Sequence, residues 1–145
     1  MSKFSGFLLC VLAVSLSSVH VTKAQTLRQS VRPVIAACSQ EHGVTDAEIQ
    51  AAKEAGSAAS LKPCFIGCVL KKIGLINDKG DYDLDSGLKG LRQFVKDDEK
   101  YNKLANVARA CSKVQDKAVT DGTAGCERSV LVADCFLTYK ARIII

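Results

Sequence analysis

The sequence predicts an all-α chain, and three observations carry that prediction. Apolar residues recur at helical intervals, as in Leu27, Val31, Val34, Ile35 and Cys38. Strand-like alternation is absent, and so are internal repeats and low-complexity segments. Finally, Cys64 and Cys68 stand four residues apart inside the largely apolar run Leu61 to Ile76, so a helix there turns both to one face. Their Cβ atoms would be about 5–6 Å apart on that helix, against about 3.8 Å in a disulfide, so each must reach a different neighbouring segment.

Taken in order, Gln25 to Cys38 reads as a helix interrupted by Pro33 and stopped by Glu41-His42-Gly43. Thr45-Asp46-Ala47-Glu48 has the form of a capping box, opening a short Ala-rich helix that Gly56-Ser57 ends. Leu61 to Ile73 is the central helix, with Pro63 in its first turn. Phe65, Ile66, Val69, Leu70 and Ile73 leave it little polar face, so it should be buried on most sides. Asn77 to Gly90 reads as loop, with Gly80, Gly87 and Gly90 as breakers, followed by a short helix from Leu88 to Lys96. Asp98 to Val114 is amphipathic through Tyr101, Leu104, Val107, Ala108 and Cys111, and a last helix runs from Cys126 to Ala141.

The start of the chain reads as an address. Met1-Ser2-Lys3 is a short basic opening, Phe4 to Val19 is apolar, and Thr22-Lys23-Ala24 offers small residues at the positions a signal peptidase recognises. Residues 1–24 are therefore expected to be a secretory signal peptide and residues 25–145 one helical domain, secreted and extracellular. Cys10 leaves with the leader, so seven cysteines become six. Lys3 and Lys23 leave too, taking the formal net charge from +5 to +3, too mild to argue for nucleic acid or an anionic membrane. An even cysteine count in a secreted chain reads as a disulfide framework.

Six cysteines permit many connectivities. Cys64–Cys68 is disfavoured by the separation above, and Cys126–Cys135 would have to join opposite sides of one helix about 13 Å apart along its axis. The remaining connectivities stay open on geometry alone. The spacing Cys38-x25-Cys64-x3-Cys68-x42-Cys111-x14-Cys126-x8-Cys135 resembles the six-cysteine signature of insect odorant-binding proteins, the pheromone and general-odorant-binding family. The x3 and x8 intervals are its distinguishing features, and the resemblance extends over residues 25–145. It implies a compact bundle of about six short helices laced by three disulfides around an internal apolar cavity. Carried over residue by residue, it implies the bridges Cys38–Cys68, Cys64–Cys126 and Cys111–Cys135, which avoid both disfavoured pairs. It implies a carrier for small hydrophobic molecules such as odorants or pheromones, with a membrane olfactory receptor as a further partner, acting as a monomer or weak homodimer.

A carrier of that kind needs a mostly hydrocarbon lining. The expected pocket residues are Val69, Ile73 and Ile76 with Phe94, then Leu104, Val107 and Ala108, then Val130, Leu131 and Phe136. Tyr101 and Tyr139 are expected hydroxyl donors to a cargo oxygen. Ile143, Ile144 and Ile145, three β-branched residues at the end of the chain, are expected to fold back as a wall or lid, as the corresponding segment does in parts of the family. Acid-triggered release also occurs in parts of the family. His42, left as the sole histidine once His20 departs, lies in the turn after the first helix, remote in sequence from that lid. A switch through Asp81, Asp83, Asp85 or the terminal carboxyl has no further support in the sequence.

Other readings fare worse. The stretch from Asp81 is not an EF-hand loop, since Ser86 stands at the glycine position and Arg92 at the final glutamate position. Oxidised cysteines and one histidine make a zinc site unexpected. No Gly-x-Ser-x-Gly, phosphate-cradling loop or histidine-based catalytic set is present, so no enzyme and no cofactor are expected. The alternative from another class is a saposin-like or defence protein acting on lipid membranes, whose cysteine intervals differ and whose function calls for more positive charge.

Overall fold

A computed structural model describes residues 27–139. Six α-helices follow in order: α1 (Leu27–His42), α2 (Asp46–Ala55), α3 (Pro63–Ile73), α4 (Leu84–Phe94), α5 (Asp98–Ala110) and α6 (Cys126–Thr138). Two short 3-10 segments, Cys111–Asp116 and Gly122–Ala124, lie between α5 and α6. Among the described residues there is no strand, only an isolated bridge between Ile76 and Tyr82. The expected leader and the tail Ile143 to Ile145 lie outside the described residues.

Local chemistry sets most helix ends. At α2, the Thr45 hydroxyl accepts from the Glu48 amide at 3.2 Å while the Glu48 carboxylate accepts from the Thr45 amide at 2.7 Å, a reciprocal capping box. Gly56 ends α2 and Gly74 ends α3 in the left-handed conformation, where a Cβ would be strained. Asp83 and Asp97 cap α4 and α5, accepting from the amides of Ser86 and Lys100. At α6 the cap comes from farther off: Asp121 accepts from the amides of Cys126 and Glu127 at 2.6 and 3.0 Å.

Helix α1 runs through Pro33 unbroken, giving up one intrahelical hydrogen bond, while α3 starts only at Pro63 and α6 ends at Thr138; two further boundaries also differ from the sequence expectation. Residues 84–90 belong to α4 and not to the preceding loop, because Asp83 caps the helix early and its glycines mark a close approach. A Cβ at Gly90 would overlap the carbonyl oxygen of Ile73, and one at Gly87 would meet the Leu75 backbone at 3.3 Å. Helix α5 is shorter than expected, tightening at Cys111 into 3-10 geometry. There the buried Arg128 donates to the carbonyls of Val114, Gln115 and Lys117.

Helix α3 is the centre, packed most extensively against α6 and then α1. Three disulfides lace this arrangement: Cys38–Cys68 joins α1 to α3, Cys64–Cys126 joins α3 to α6, and Cys111–Cys135 joins the end of α5 to α6. The corresponding Cα separations are 5.8, 4.5 and 5.9 Å. The connectivity is the one that the resemblance implies. Two apolar clusters result, one around Ile73, Leu75, Ile76, Leu91 and Val132, the other around Cys38, Val44, Ile49, Phe65 and Ile66. Tyr82 is buried in the first and donates its hydroxyl to the Ala108 carbonyl at 2.7 Å; burial pushes its pKa up to about 12.

Candidate functional site

Where the two clusters meet lies an apolar hollow of about 790 Å3, open to solvent on one side. That volume lies within the range of about 300–1,000 Å3 for small-molecule sites. Helix α3 supplies its floor through Phe65, Ile66, Val69 and Leu70, and Leu61 and Leu75 flank that helix. Helix α6 contributes Val132, Ala133, Phe136 and Leu137, a run set by its i, i+1, i+4, i+5 spacing. Ile35 of α1, Leu104 of α5, and Ile49 and Ala52 of α2 complete the walls with Ala58. The polar side chains on the lining are Arg28, Lys53 and Ser57.

The wall made by α2 is attached differently from the others. Among the described residues, α2 packs extensively on no other helix. It is held by its buried Ile49 and Ala52 and by the loop that follows it. There the Asp134 carboxylate of α6 accepts from the Ala58 amide at 2.8 Å, and the Ser57 hydroxyl approaches it at 3.5 Å. At the other end, the Lys62 ammonium donates to the carbonyls of His42 and Gly43, fixing the turn between α1 and α2. Disulfides thus hold α1, α3, the end of α5 and α6, while hydrogen bonds and two side chains hold α2.

Of the residues expected at a pocket, Val69, Leu104 and Phe136 line this hollow. Ile73, Ile76 and Ala108 are buried in the first cluster, with Phe94 and Leu131 half-buried against it. Val107 is buried elsewhere in the interior, and Val130 packs on the second cluster. Tyr101 faces α4, its hydroxyl 3.4 Å from the Leu88 carbonyl and its ring under the Arg92 guanidinium at 4.8 Å. Neither Tyr101 nor Tyr139 lines the hollow. Ile143 and Ile144 lie outside the described residues. Sequence reasoning passed over Ile35, Ile49, Leu61 and Leu137. Ile35 was visible in the α1 stripe, and Ile49 was the one large apolar residue in α2.

Glu41, His42 and Cys68 bring ligand atoms within 4.8 Å of one another. The Cys68 sulfur is committed to Cys38, so it cannot serve a metal as thiolate. His42 Nε2 lies 3.7 Å from Glu41 Oε1 at the end of α1, and His42 is not part of the lining. Among the described residues, no helix is long and apolar enough to cross a membrane.

Comparison with known proteins agrees with this architecture. General odorant-binding protein 28a of Drosophila melanogaster is 28% identical over 101 residues, 68% of this chain and 67% of that protein. No solved structure matches the chain. The PBP/GOBP family matches residues 21–139, a span that contains all six bridged cysteines. The chain belongs to the PBP/GOBP family.

Proposed function

We propose that the protein is a secreted carrier that takes small hydrophobic molecules into the hollow between α2, α3 and α6 and moves them through aqueous extracellular fluid. The observation that carries this reading is the hollow itself, about 790 Å3, lined mostly by hydrocarbon, with α1, α3 and α6 tied by disulfides around it. An apolar hollow leaves hydrocarbon against water, at about 25 cal/mol per Å2 of apolar surface. A small domain retains one only if its walls cannot collapse, and each bridge adds about 2–4 kcal/mol against unfolding. Family membership and the odorant-binding name of the Drosophila relative support the same reading. In this reading residues 1–24 are the cleaved secretory leader. The role is transport, not catalysis.

Displacement of the fluorescent probe N-phenyl-1-naphthylamine by a panel of alcohols, aldehydes, esters and fatty acids tests the proposal. A carrier binds the probe with a Kd on the order of micromolar and releases it to some members of the panel, without permeabilising liposomes. No probe binding, or leakage of vesicle contents, would point instead to the membrane-acting alternative.

A further inference from the structure

We infer that the hollow takes linear amphiphiles with one terminal polar group, chain first, leaving that group in water at the open side. This rests on the carrier reading and names its cargo. The lining is graded in polarity. Its polar side chains, Arg28, Lys53 and Ser57, are all exposed or half-buried, whereas every lining residue that is buried carries a hydrocarbon side chain. Leu75 and Leu104 are each 2% exposed and Val132 is 0%, so these three mark the closed end.

Among the described residues, nothing at that end offers a hydrogen bond to a guest. Leu104 and Val132 lie inside α5 and α6, whose backbone groups serve the helices themselves. Leu75 lies outside the helices, but its amide donates to the Leu70 carbonyl at 2.9 Å and its carbonyl accepts from the Asp83 amide at 3.0 Å. Among the described residues, the buried side-chain atoms without a partner are Ser39 Oγ, Asp121 Oδ1 and Arg128 Nε, and none of these residues is on the lining. The buried Tyr82 hydroxyl is given to the Ala108 carbonyl and is off the lining as well. A hydroxyl carried to the closed end would lose water and find no partner, whereas a methyl group there simply leaves water. The chain end therefore goes in and the polar end stays out, and a second polar group at the far end is what the site rejects. The competing account is a cargo held inside by its polar group, which requires a partner hidden in the hollow.

The discriminating experiment is displacement of N-phenyl-1-naphthylamine by decanol, by decanal and by the diol with a hydroxyl at each end of the same chain. The alcohol and the aldehyde should bind within about three-fold of each other, because water serves both heads before and after binding. The diol should bind at least about ten-fold more weakly than the alcohol, within the range for burying a hydroxyl without a partner. Val132→Thr keeps the side-chain shape and sets an oxygen at the closed end that can accept from the far hydroxyl. In that variant the diol should approach the alcohol in affinity; if the variant does not fold, the parent comparison decides by itself. A diol as tight as the alcohol in the parent, or a preference of about ten-fold between alcohol and aldehyde, overturns the chain-first assignment and leaves the carrier reading standing. So does a diol bound no better by folded Val132→Thr, or a probe that neither alcohol nor aldehyde displaces. Failure of the parent protein to bind the probe at all overturns both.

Discussion

Gly90 on α4 crosses the end of α3 so closely that a Cβ at that position would overlap the Ile73 carbonyl oxygen and lie 2.8 Å from its carbon. In an ordinary exposed helix, Gly→Ala gains about 0.5–1 kcal/mol through backbone entropy. Here the sign should reverse. Gly90→Ala must push α4 off α3, and a loss of about 3 kcal/mol in urea unfolding is expected, toward the upper end of overpacking costs. A neutral or stabilising effect would show that the two helices do not meet in this way.

The bridges should differ in worth by the length of chain each closes. Cys64–Cys126 spans 62 residues, Cys38–Cys68 spans 30 and Cys111–Cys135 spans 24. The loop-entropy relation gives about 4.3, 3.6 and 3.4 kcal/mol in that order. Replacing each pair by serine and measuring unfolding should therefore show the largest loss for Cys64/Cys126. That bridge also fastens the most extensive helix pair, α3 with α6. An equal or smaller loss there than at Cys111/Cys135 would contradict this ranking.

Much of this fold was legible because its signals are local. Thr45 and Glu48 announce the α2 cap within four residues, and the Val31-Ile35-Cys38 stripe announces α1. Gly87 and Gly90 misled because a breaker and a close helix crossing require the same residue, and only the position of Ile73 and Leu75 tells them apart. The pocket was half-legible for a related reason. Periodicity separates buried faces from exposed ones, but it does not separate a filled interior from a hollow. It therefore grouped Ile76, in the filled cluster, with Val69, at the hollow. Arg128 had no local signal, because its partners lie on a segment that packing alone brings to it.

Arg128 is only 6% exposed, and its guanidinium satisfies three carbonyls at the end of the Cys111–Asp116 segment. Arg128→Met keeps much of the apolar stem and removes the donors, leaving buried acceptors unmet at about 1–3 kcal/mol each when fully desolvated. A total loss of about 3 kcal/mol is expected, with earlier amide exchange at residues 111–117. If the variant unfolds like the parent, water must already serve those carbonyls.

Acid should loosen α2 before the disulfide-tied helices. Hydrogen bonds from the Thr45 backbone, then from its side chain, hold the Glu48 carboxyl below its ordinary pKa of 4.5. A depressed folded-state pKa stabilises the folded chain above the unfolded value, and that contribution disappears as pH falls through the folded value. Asp83 at α4 behaves in the same direction, with the Ser86 amide as its main cause. At neutral pH, Thr45→Ala should speed amide exchange in α2 relative to the parent. Well below pH 4.5 the difference should narrow to the share of the Thr45 hydroxyl, which still accepts from the Glu48 amide, because protonated Glu48 no longer closes the box. A difference that persists unchanged in acid would assign the effect to the Thr45 hydroxyl alone.

Filling the hollow separates a container from a loosely packed core. Val69 lines the hollow, whereas Ile76, 2% exposed, belongs to the filled cluster. Putting a large ring into a full interior displaces neighbours and costs about 1–3 kcal/mol or more. Putting it into about 790 Å3 of apolar space displaces only what occupies that space. Val69→Trp should therefore keep most of the parent stability and lower N-phenyl-1-naphthylamine affinity about ten-fold or more, while Ile76→Trp should unfold much more easily. The parent chain has no tryptophan, so the new indole also reports its own surroundings. Its emission should be blue-shifted in Val69→Trp, as for a ring inside hydrocarbon. If both variants lost stability equally, the space beside Val69 would be occupied by protein and no cargo could enter there. If Val69→Trp were stable and bound the probe as before, the cargo site would have to lie on another surface.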